Sequence, residues 1–76
     1  MVFVYKSPIG LMKIFLDSNQ RYALAIGDTV YGHYHSPVAA ADDVYCFATG
    51  CYEWDKLQTK MMLDVPTDIH EWQRIR

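Results

Sequence analysis

Histidines, carboxylates and cysteines that could take part in chemistry cluster in the middle of this 76-residue chain. His33 and His35 lie two residues apart, a spacing that places both imidazoles on one side of a strand. A zinc ion needs three or four ligands, and neither a CxxC nor an HExxH motif accompanies the pair. The sequence therefore predicts no metal site and no bound cofactor, and we expect both histidines at the edge of a sheet.

Asp42 and Asp43 fall in the first half of a predicted helix, where carboxylates are stabilised by the positive end of the helix dipole. Adjacent helical positions diverge by about 100°, so the two side chains do not share a face as a catalytic pair would. Cys46 lies nearby in an electronegative setting, which does not favour a thiolate nucleophile. Since the chain also has no phosphate-binding loop and no nucleophile–base motif, we expect it not to be an enzyme.

The two cysteines of the chain, Cys46 and Cys51, are five residues apart. On a helix that spacing turns the side chains about 140° away from each other. A disulfide would require the chain to bend back after Gly50. We therefore expect both thiols to be free.

A strand that runs directly into a capped helix is predicted between Thr29 and Cys51. Ser36 can accept hydrogen bonds from the amides of the first turn, and Pro37 at the first helical position has no amide that needs a partner. Gly50 is expected to end the helix in the left-handed conformation. One helix face is apolar and is formed by Ala40, Val44, Phe47 and Cys51, with Ala41 and Ala48 beside them.

Short strands are predicted before this helix, over residues 2–6, 11–16, 22–26 and 29–35. Ser7-Pro8-Ile9-Gly10 fits a turn, and Asp17-Ser18-Asn19-Gln20 fits the next connection. Gly27-Asp28 fits a two-residue type II′ hairpin turn. After Gly50, residues 51–62 are expected as a second short helical segment or an irregular loop. Thr67 or Asp68 can cap a final helical turn, and residues 71–76 either form a strand or fray. The expected fold is a single α+β domain over residues 1–76, with an antiparallel sheet of three to four strands, one main helix packed on one face, and a short irregular or helical C-terminal segment.

Alternation along the strands predicts two apolar sheet faces. With Ile26 opposite Thr29 and Leu24 opposite Tyr31, the face against the helix consists of Met12, Ile14, Leu16, Tyr22, Leu24, Ile26 and Tyr31. The opposite face consists of Lys13, Phe15, Ala23, Ala25, Val30, Gly32 and Tyr34. This second face is more apolar than a solvated sheet face, so we expect it to be covered by the C-terminal segment carrying Trp72, by a second copy in a homodimer, or by a partner. A register slip of one residue would exchange the faces.

Aromatic and acidic residues add to the predicted interaction surface. Tyrosine and tryptophan dominate binding hot spots because they bury a large area at low entropic cost. Trp54 and Trp72 have an alternative role as plugs at the ends of a thin core. The predicted partner-binding residues are Phe15, Val30, Tyr34, Asp42, Asp43, Tyr45, Glu53, Trp54 and Asp55.

The charge balance favours a protein partner over nucleic acid. The chain has seven basic and nine acidic residues and a formal net charge of −2, whereas nucleic-acid binding usually requires a basic stripe. No apolar run approaches the roughly 20 residues that span a membrane. The opening residues, MVFVYKSPIG, lack the basic and long apolar regions of a signal peptide, so we expect a cytoplasmic protein.

The stretch GHYHSPVAAADDVY, from Gly32 to Tyr45, resembles the strand-to-helix junction of AP2-like DNA-binding domains, with a glycine, an aromatic residue, a Ser/Thr cap and an alanine-rich helix in similar order. That resemblance implies a small nucleic-acid-binding module. The family reads DNA with arginine and tryptophan on its strands, whereas these strands carry only Lys13 and Arg21, so the role does not transfer directly.

The overall plan, a sheet that opens with MVFVYK and is followed by a capped helix, resembles small phage-encoded inhibitors such as type I anti-CRISPR proteins. This resemblance implies a non-enzymatic inhibitor of a host defence complex. Several such inhibitors bind basic surfaces of nucleic-acid-handling proteins through acidic and aromatic residues. Asp42, Asp43, Glu53 and Asp55 would take that role here. The leading expectation is therefore a protein-binding module of this kind, and the alternative is a nucleic-acid-binding module of AP2-like shape.

Overall fold

The computed structural model describes residues 2–59 and 65–75, without the side chains of residues 58 and 59. Its elements are β1 (Val2–Ser7), β2 (Gly10–Leu16), β3 (Tyr22–Ile26), β4 (Thr29–Tyr34), α1 (Pro37–Tyr45), α2 (Tyr52–Asp55), the 3₁₀ helices Lys56–Thr59 and Ile69–Glu71, and β5 (Gln73–Ile75). The strands form one antiparallel sheet in the order β4-β3-β2-β1-β5. The predicted α+β fold with one main helix is confirmed, but the sheet has five strands rather than three to four. Within the described ranges, no helix has the length and apolar content needed to cross a membrane.

The first four strands are joined by the short turns that the sequence predicts. Ser7 pairs with Gly10 around a two-residue turn. Between β2 and β3, the Asp17 carboxylate accepts hydrogen bonds from the backbone N–H groups of Asn19 and Arg21 at 2.8 and 3.0 Å. Gly27, with φ at 62°, supplies the left-handed residue that a type II′ turn requires at its first position. These turns keep successive strands adjacent, so the sheet begins as a simple meander.

The fifth strand comes from the C-terminal segment. Residues Gln73–Ile75 pair antiparallel with β1, with Val2 opposite Ile75 and Val4 opposite Gln73. Asp68 caps the preceding 3₁₀ helix, since its carboxylate accepts a hydrogen bond from the His70 N–H at 2.8 Å. The segment therefore provides partners for the backbone groups of β1 that would otherwise form an open edge.

A β-bulge in β4 changes the predicted faces. Ala25 is opposite Val30 but Leu24 is opposite Gly32, so Tyr31 is an extra residue in the ladder. The predicted pairing of Leu24 with Tyr31 is therefore wrong. Gly32 and Tyr34 lie on the helix side of the sheet, and His33 lies on the opposite side. The Tyr34 ring covers Gly32, where a Cβ atom would come within 3.1 Å of it.

Helix α1 begins as predicted and ends earlier. The Ser36 hydroxyl accepts a hydrogen bond from the Ala39 N–H at 3.2 Å. At the other end, Phe47 adopts a left-handed φ of 56°. Its N–H donates to the Val44 carbonyl at 3.1 Å, and the Ala48 N–H donates to the Asp43 carbonyl at 2.9 Å, which is the Schellman pattern. The predicted helix end at Gly50 is therefore wrong, because a phenylalanine takes the position that glycine usually occupies.

The core lies between α1 and the near side of the sheet. Its buried residues are Met12, Ile14, Leu24, Ile26, Ala40, Ala41, Val44, Cys51, Trp54, Ile69 and Trp72. The small side chains of Ala40 and Ala41 let the helix approach the sheet closely. Trp72 packs 5.6 Å from the Tyr5 ring and so lies on the helix side. The predicted cover of the opposite face by the Trp72 segment is therefore wrong for residues 65–75, since these residues complete the core and the sheet edge.

Candidate interaction surface

The side of the sheet opposite α1 carries two rows of side chains that run across the strands. Because side chains alternate along each strand, the pairings assign these residues to one face. The first row is His33, Ala23, Phe15, Val2 and Ile75, and the second is Val30, Ala25, Lys13, Val4 and Gln73. We call these ten residues the open face. No segment in the described ranges 2–59 and 65–75 packs over it as α1 packs over the other side.

The centre of the open face is buried, as the low exposure of Ala23, Ala25 and Val4 shows. These small side chains lie between larger neighbours on the adjacent strands. The accessible apolar surface is at the margins, where Val30 and Ile75 are exposed. A partner would therefore make its main contacts around a closed centre.

A cavity of about 380 Å³ opens at one end of this face. Among the described residues its walls are the apolar side chains of Val2, Phe15 and Leu16 and the side chain of Lys13. Lys13 is half-buried, and its ammonium group makes no ion pair with any carboxylate in the described part of the chain. The cavity thus combines an apolar wall with a lysine that no described carboxylate pairs with.

The two layers of the protein differ in charge. Neither row of the open face contains a carboxylate, and Lys13 lies in its second row, with Lys6 further along β1. The helical layer carries most of the described carboxylates, namely Asp42, Asp43, Glu53, Asp55, Asp68 and Glu71. The open face is therefore apolar and basic, while the layer behind it is acidic.

His33 is held at the corner of the open face by Asp17. The His33 Nδ1 atom lies 2.7 Å from Asp17 Oδ2. Hydrogen bonds to the Asp17 carboxylate, first that of the Arg21 backbone N–H and then that of His33, lower the pKa of Asp17. No three His, Cys, Asp or Glu side chains within the described ranges are grouped in a way that could hold a metal ion. The contact instead fixes the loop between β2 and β3 against β4.

The function of this face has to be inferred from its own chemistry. No family model, curated protein or solved structure matches the chain. The placement of each predicted partner-binding residue therefore decides which of them can act together.

Phe15 and Val30 lie on the open face, as predicted, but Tyr34 does not. The Tyr34 hydroxyl donates a hydrogen bond to the Asp43 carboxylate at 2.9 Å on the helix side. Burial, together with this carboxylate, raises the pKa of Tyr34 to about 12. The bulge therefore turns Tyr34 away from the open face and engages both side chains in an internal contact.

Trp54 and Asp55 have structural roles. Trp54 is completely buried, its ring stacks on Phe47 at 4.8 Å, and its Nε1–H donates to the Val44 carbonyl at 3.0 Å. One Asp55 carboxylate oxygen accepts from the Thr49 N–H and hydroxyl at 3.0 and 2.9 Å, and the other from the Gly50 N–H at 2.9 Å. Trp54 thus belongs to the core, while Asp55 orders the loop after α1.

The remaining predicted residues lie on the helical layer, away from the open face. Asp42, Tyr45 and Glu53 are exposed there, and Tyr52, which the sequence analysis did not select, is 76% exposed beside the Lys56 ammonium. The predicted set is therefore divided between opposite sides of the molecule. The residues missed on the open face include Val2, Val4 and Ile75, whereas Lys13 was placed on this face but not predicted to bind a partner. Alternation in the opening strand, VFVYKS, would have placed Val2 and Val4 together. A strand over residues 71–76 was one of two alternatives, but nothing in the tail indicates which sheet face Ile75 takes.

Proposed function

We propose that the chain is a non-enzymatic protein-binding module that contacts its partner through the open face. The observation that carries this proposal is an apolar sheet face with exposed margins at Val30 and Ile75, no carboxylate among its ten residues, and a cavity at Phe15. Apolar patches of several hundred square ångströms are uncommon on monomers and often mark association sites. The partner would shield Val2, Phe15, Val30 and Ile75 from water.

A different protein fits this face better than a second copy of the chain. A two-fold symmetric dimer brings the same patch of both copies together. Lys6 and Lys13 of each copy would then meet a face without a carboxylate, and such like-charge contacts cost free energy. We therefore expect the isolated protein to be monomeric, and a dimer in size-exclusion chromatography that Phe15→Glu dissociates would contradict this.

The resemblance to phage-encoded inhibitors gives the proposal a specific form, in which the partner is a host defence complex. In that form the acidic helical layer is free for a second contact through Asp42, Tyr45 and Glu53. The open face and the helical layer lie on opposite sides of the protein, so the two contacts can be tested separately.

Site-specific photo-crosslinking tests which side of the protein binds. A benzophenone amino acid would replace Leu11 or Ile75, which are exposed next to or on the open face, or Tyr52 on the helical layer. In lysate of the source cells we expect protein adducts from positions 11 and 75 that disappear with Phe15→Glu. The matched control, Val38→Glu, changes an exposed apolar residue of α1 and should leave the adducts unchanged.

Two outcomes would contradict the proposal. Adducts that form only from position 52 would assign binding to the helical layer. Adducts with nucleic acid from positions 11 and 75 would favour the nucleic-acid-binding alternative. A far-ultraviolet circular dichroism spectrum like that of the unmodified chain would show that each variant is folded.

A further inference from the structure

We infer that the open face recognises an acidic, apolar protein segment, which places an apolar side chain in the cavity beside Phe15 and a carboxylate next to Lys13. This inference rests on the proposed function and specifies the chemistry of the partner. It follows from two features that meet at one place, the shape of the cavity and the charges around it.

The cavity is suited to one apolar side chain. Its apolar walls, Val2, Phe15 and Leu16, border an open depression of about 380 Å³ together with Lys13. Val2 and Phe15 are cross-strand partners on neighbouring strands of the sheet, so their positions are fixed by the backbone ladder. A rigid apolar pocket next to a shielded patch is the usual setting of a binding hot spot.

Lys13 selects for negative charge at the same place. It lies between Val4 and Ala25 in its row, and no carboxylate of the described residues pairs with it. A partner carboxylate would provide the missing opposite charge, whereas a partner lysine would be repelled. Lys6 has the same sign further along β1, so the field of the face favours an acidic segment.

A protein segment fits these features better than a nucleic acid. Proteins that bind single strands usually stack several bases on aromatic side chains along a basic groove. Phe15 is the sole Phe, Tyr or Trp in the two rows of the open face, and the layer behind the sheet is acidic. One apolar anchor with one ion pair is instead the pattern of a short peptide contact.

Two matched peptides test this chemistry. The probes are acetyl-Asp-Leu-Phe-Asp-amide and acetyl-Lys-Leu-Phe-Lys-amide, titrated to millimolar concentration into the full chain labelled with ¹⁵N. We expect the acidic peptide to shift the amide resonances of Val2, Lys13 and Phe15 and to bind about fivefold more tightly than the basic peptide, the effect of one exposed ion pair.

Substitution of Lys13 separates its charge from its packing. Lys13→Gln should remove the preference between the peptides, and Lys13→Glu should reverse it. The control Lys56→Glu makes the same charge change in the helical layer and should leave the preference intact. In 0.5 M salt the preference should shrink while binding of the apolar anchor persists.

Equal affinities for the two peptides, or no shifts near the cavity with either, would overturn the inference. Tighter binding of octathymidylate than of the acidic peptide would also overturn it. Crosslinks from positions 11 and 75 combined with failure of both peptides would reject this chemistry while leaving the proposed function in place. Absence of those crosslinks would reject the proposed function itself.

Discussion

Replacement of Phe47 by glycine and by alanine separates two effects that the structure combines at this residue. Phe47 has a left-handed φ of 56° at the end of α1. Its ring stacks on Trp54 with the centroids 4.8 Å apart and the planes inclined by 17°. Both substitutions remove the ring, so the difference between the two variants reports only on the backbone conformation.

The expected magnitudes follow from partial burial and from the left-handed backbone. The Phe47 side chain is half-buried, so its loss should cost about 2–3 kcal/mol, less than the roughly 3–5 kcal/mol of a fully buried phenylalanine. Alanine remains strained at this φ by about 1–2 kcal/mol, whereas glycine is not. Glycine also lowers the free energy of unfolding by about 0.4–1 kcal/mol, because it gives the unfolded chain more conformational freedom. Phe47→Gly should therefore be more stable than Phe47→Ala by about 0.5–1 kcal/mol.

Urea denaturation followed by far-ultraviolet circular dichroism measures this difference. Tryptophan fluorescence is unsuitable because the ring that is removed contacts Trp54. Ala41→Gly, in the interior of α1, is the control and should show the opposite order, with glycine less stable than alanine by about 1 kcal/mol or more. If Phe47→Ala is as stable as Phe47→Gly, residue 47 is not held in the left-handed conformation and the assigned helix end is wrong.

Three further predictions concern pH, the loop after α1 and nucleic acid. The pKa of Tyr34 is raised from 10.0 to about 12. The stability that the protonated Tyr34 hydroxyl contributes is therefore complete below pH 10 and is lost as the pH rises towards 12. In a plot of the urea midpoint against pH, Tyr34→Phe should flatten the decrease between pH 10 and 12. Asp55→Ala should cost about 2 kcal/mol in urea denaturation because it leaves the Thr49 donors unpaired, whereas exposed Glu53→Ala should change stability by less than about 0.5 kcal/mol. In fluorescence anisotropy at physiological salt we expect no appreciable binding to duplex DNA, and sub-micromolar, steeply salt-dependent binding would contradict this.

Local sequence chemistry was sufficient to predict the first four strands and the start of α1. The turn at Gly27 and the cap at Ser36 depend on single residues with strong conformational preferences, and both are confirmed. Alternation along β2 and β3 correctly divided Ile14 and Leu24 from Phe15 and Ala23. Residues close in sequence determine each of these features, so they can be predicted without knowledge of the tertiary structure.

Features that depend on tertiary contacts could not be predicted. The bulge at Tyr31 was missed, although Gly32 follows it in the strand and an isolated glycine often marks a bulge. The left-handed Phe47 contradicts the local preference of a non-glycine residue, and its ring makes a tertiary contact by stacking on Trp54. β5 is a three-residue strand that is defined only by its pairing with β1. The candidate site was therefore predicted in part, with Phe15 and Val30 placed correctly and Tyr34 on the wrong side.

The bulge also bears on how the protein can associate. A regular ladder would have placed Tyr34 on the open face and His33 against the acidic helical layer. With the bulge, the Tyr34 hydroxyl reaches Asp43 in the interior, and His33 reaches Asp17 at the corner of the open face. Tyr31 remains on the helix side, where a hydrogen bond with the Cys51 thiol raises the pKa of Tyr31.

The same bulge interrupts the outer edge of the sheet. β4 is an edge strand without a charged residue, a type of edge that readily adds a strand from another chain. The extra residue breaks the regular spacing of its outer N–H and C=O groups, so a partner strand cannot pair along its length. The other edge, β5, is only three residues long. Because both edges are poor templates for strand addition, association through the described part of the protein is expected to use the open face rather than the edges of the sheet.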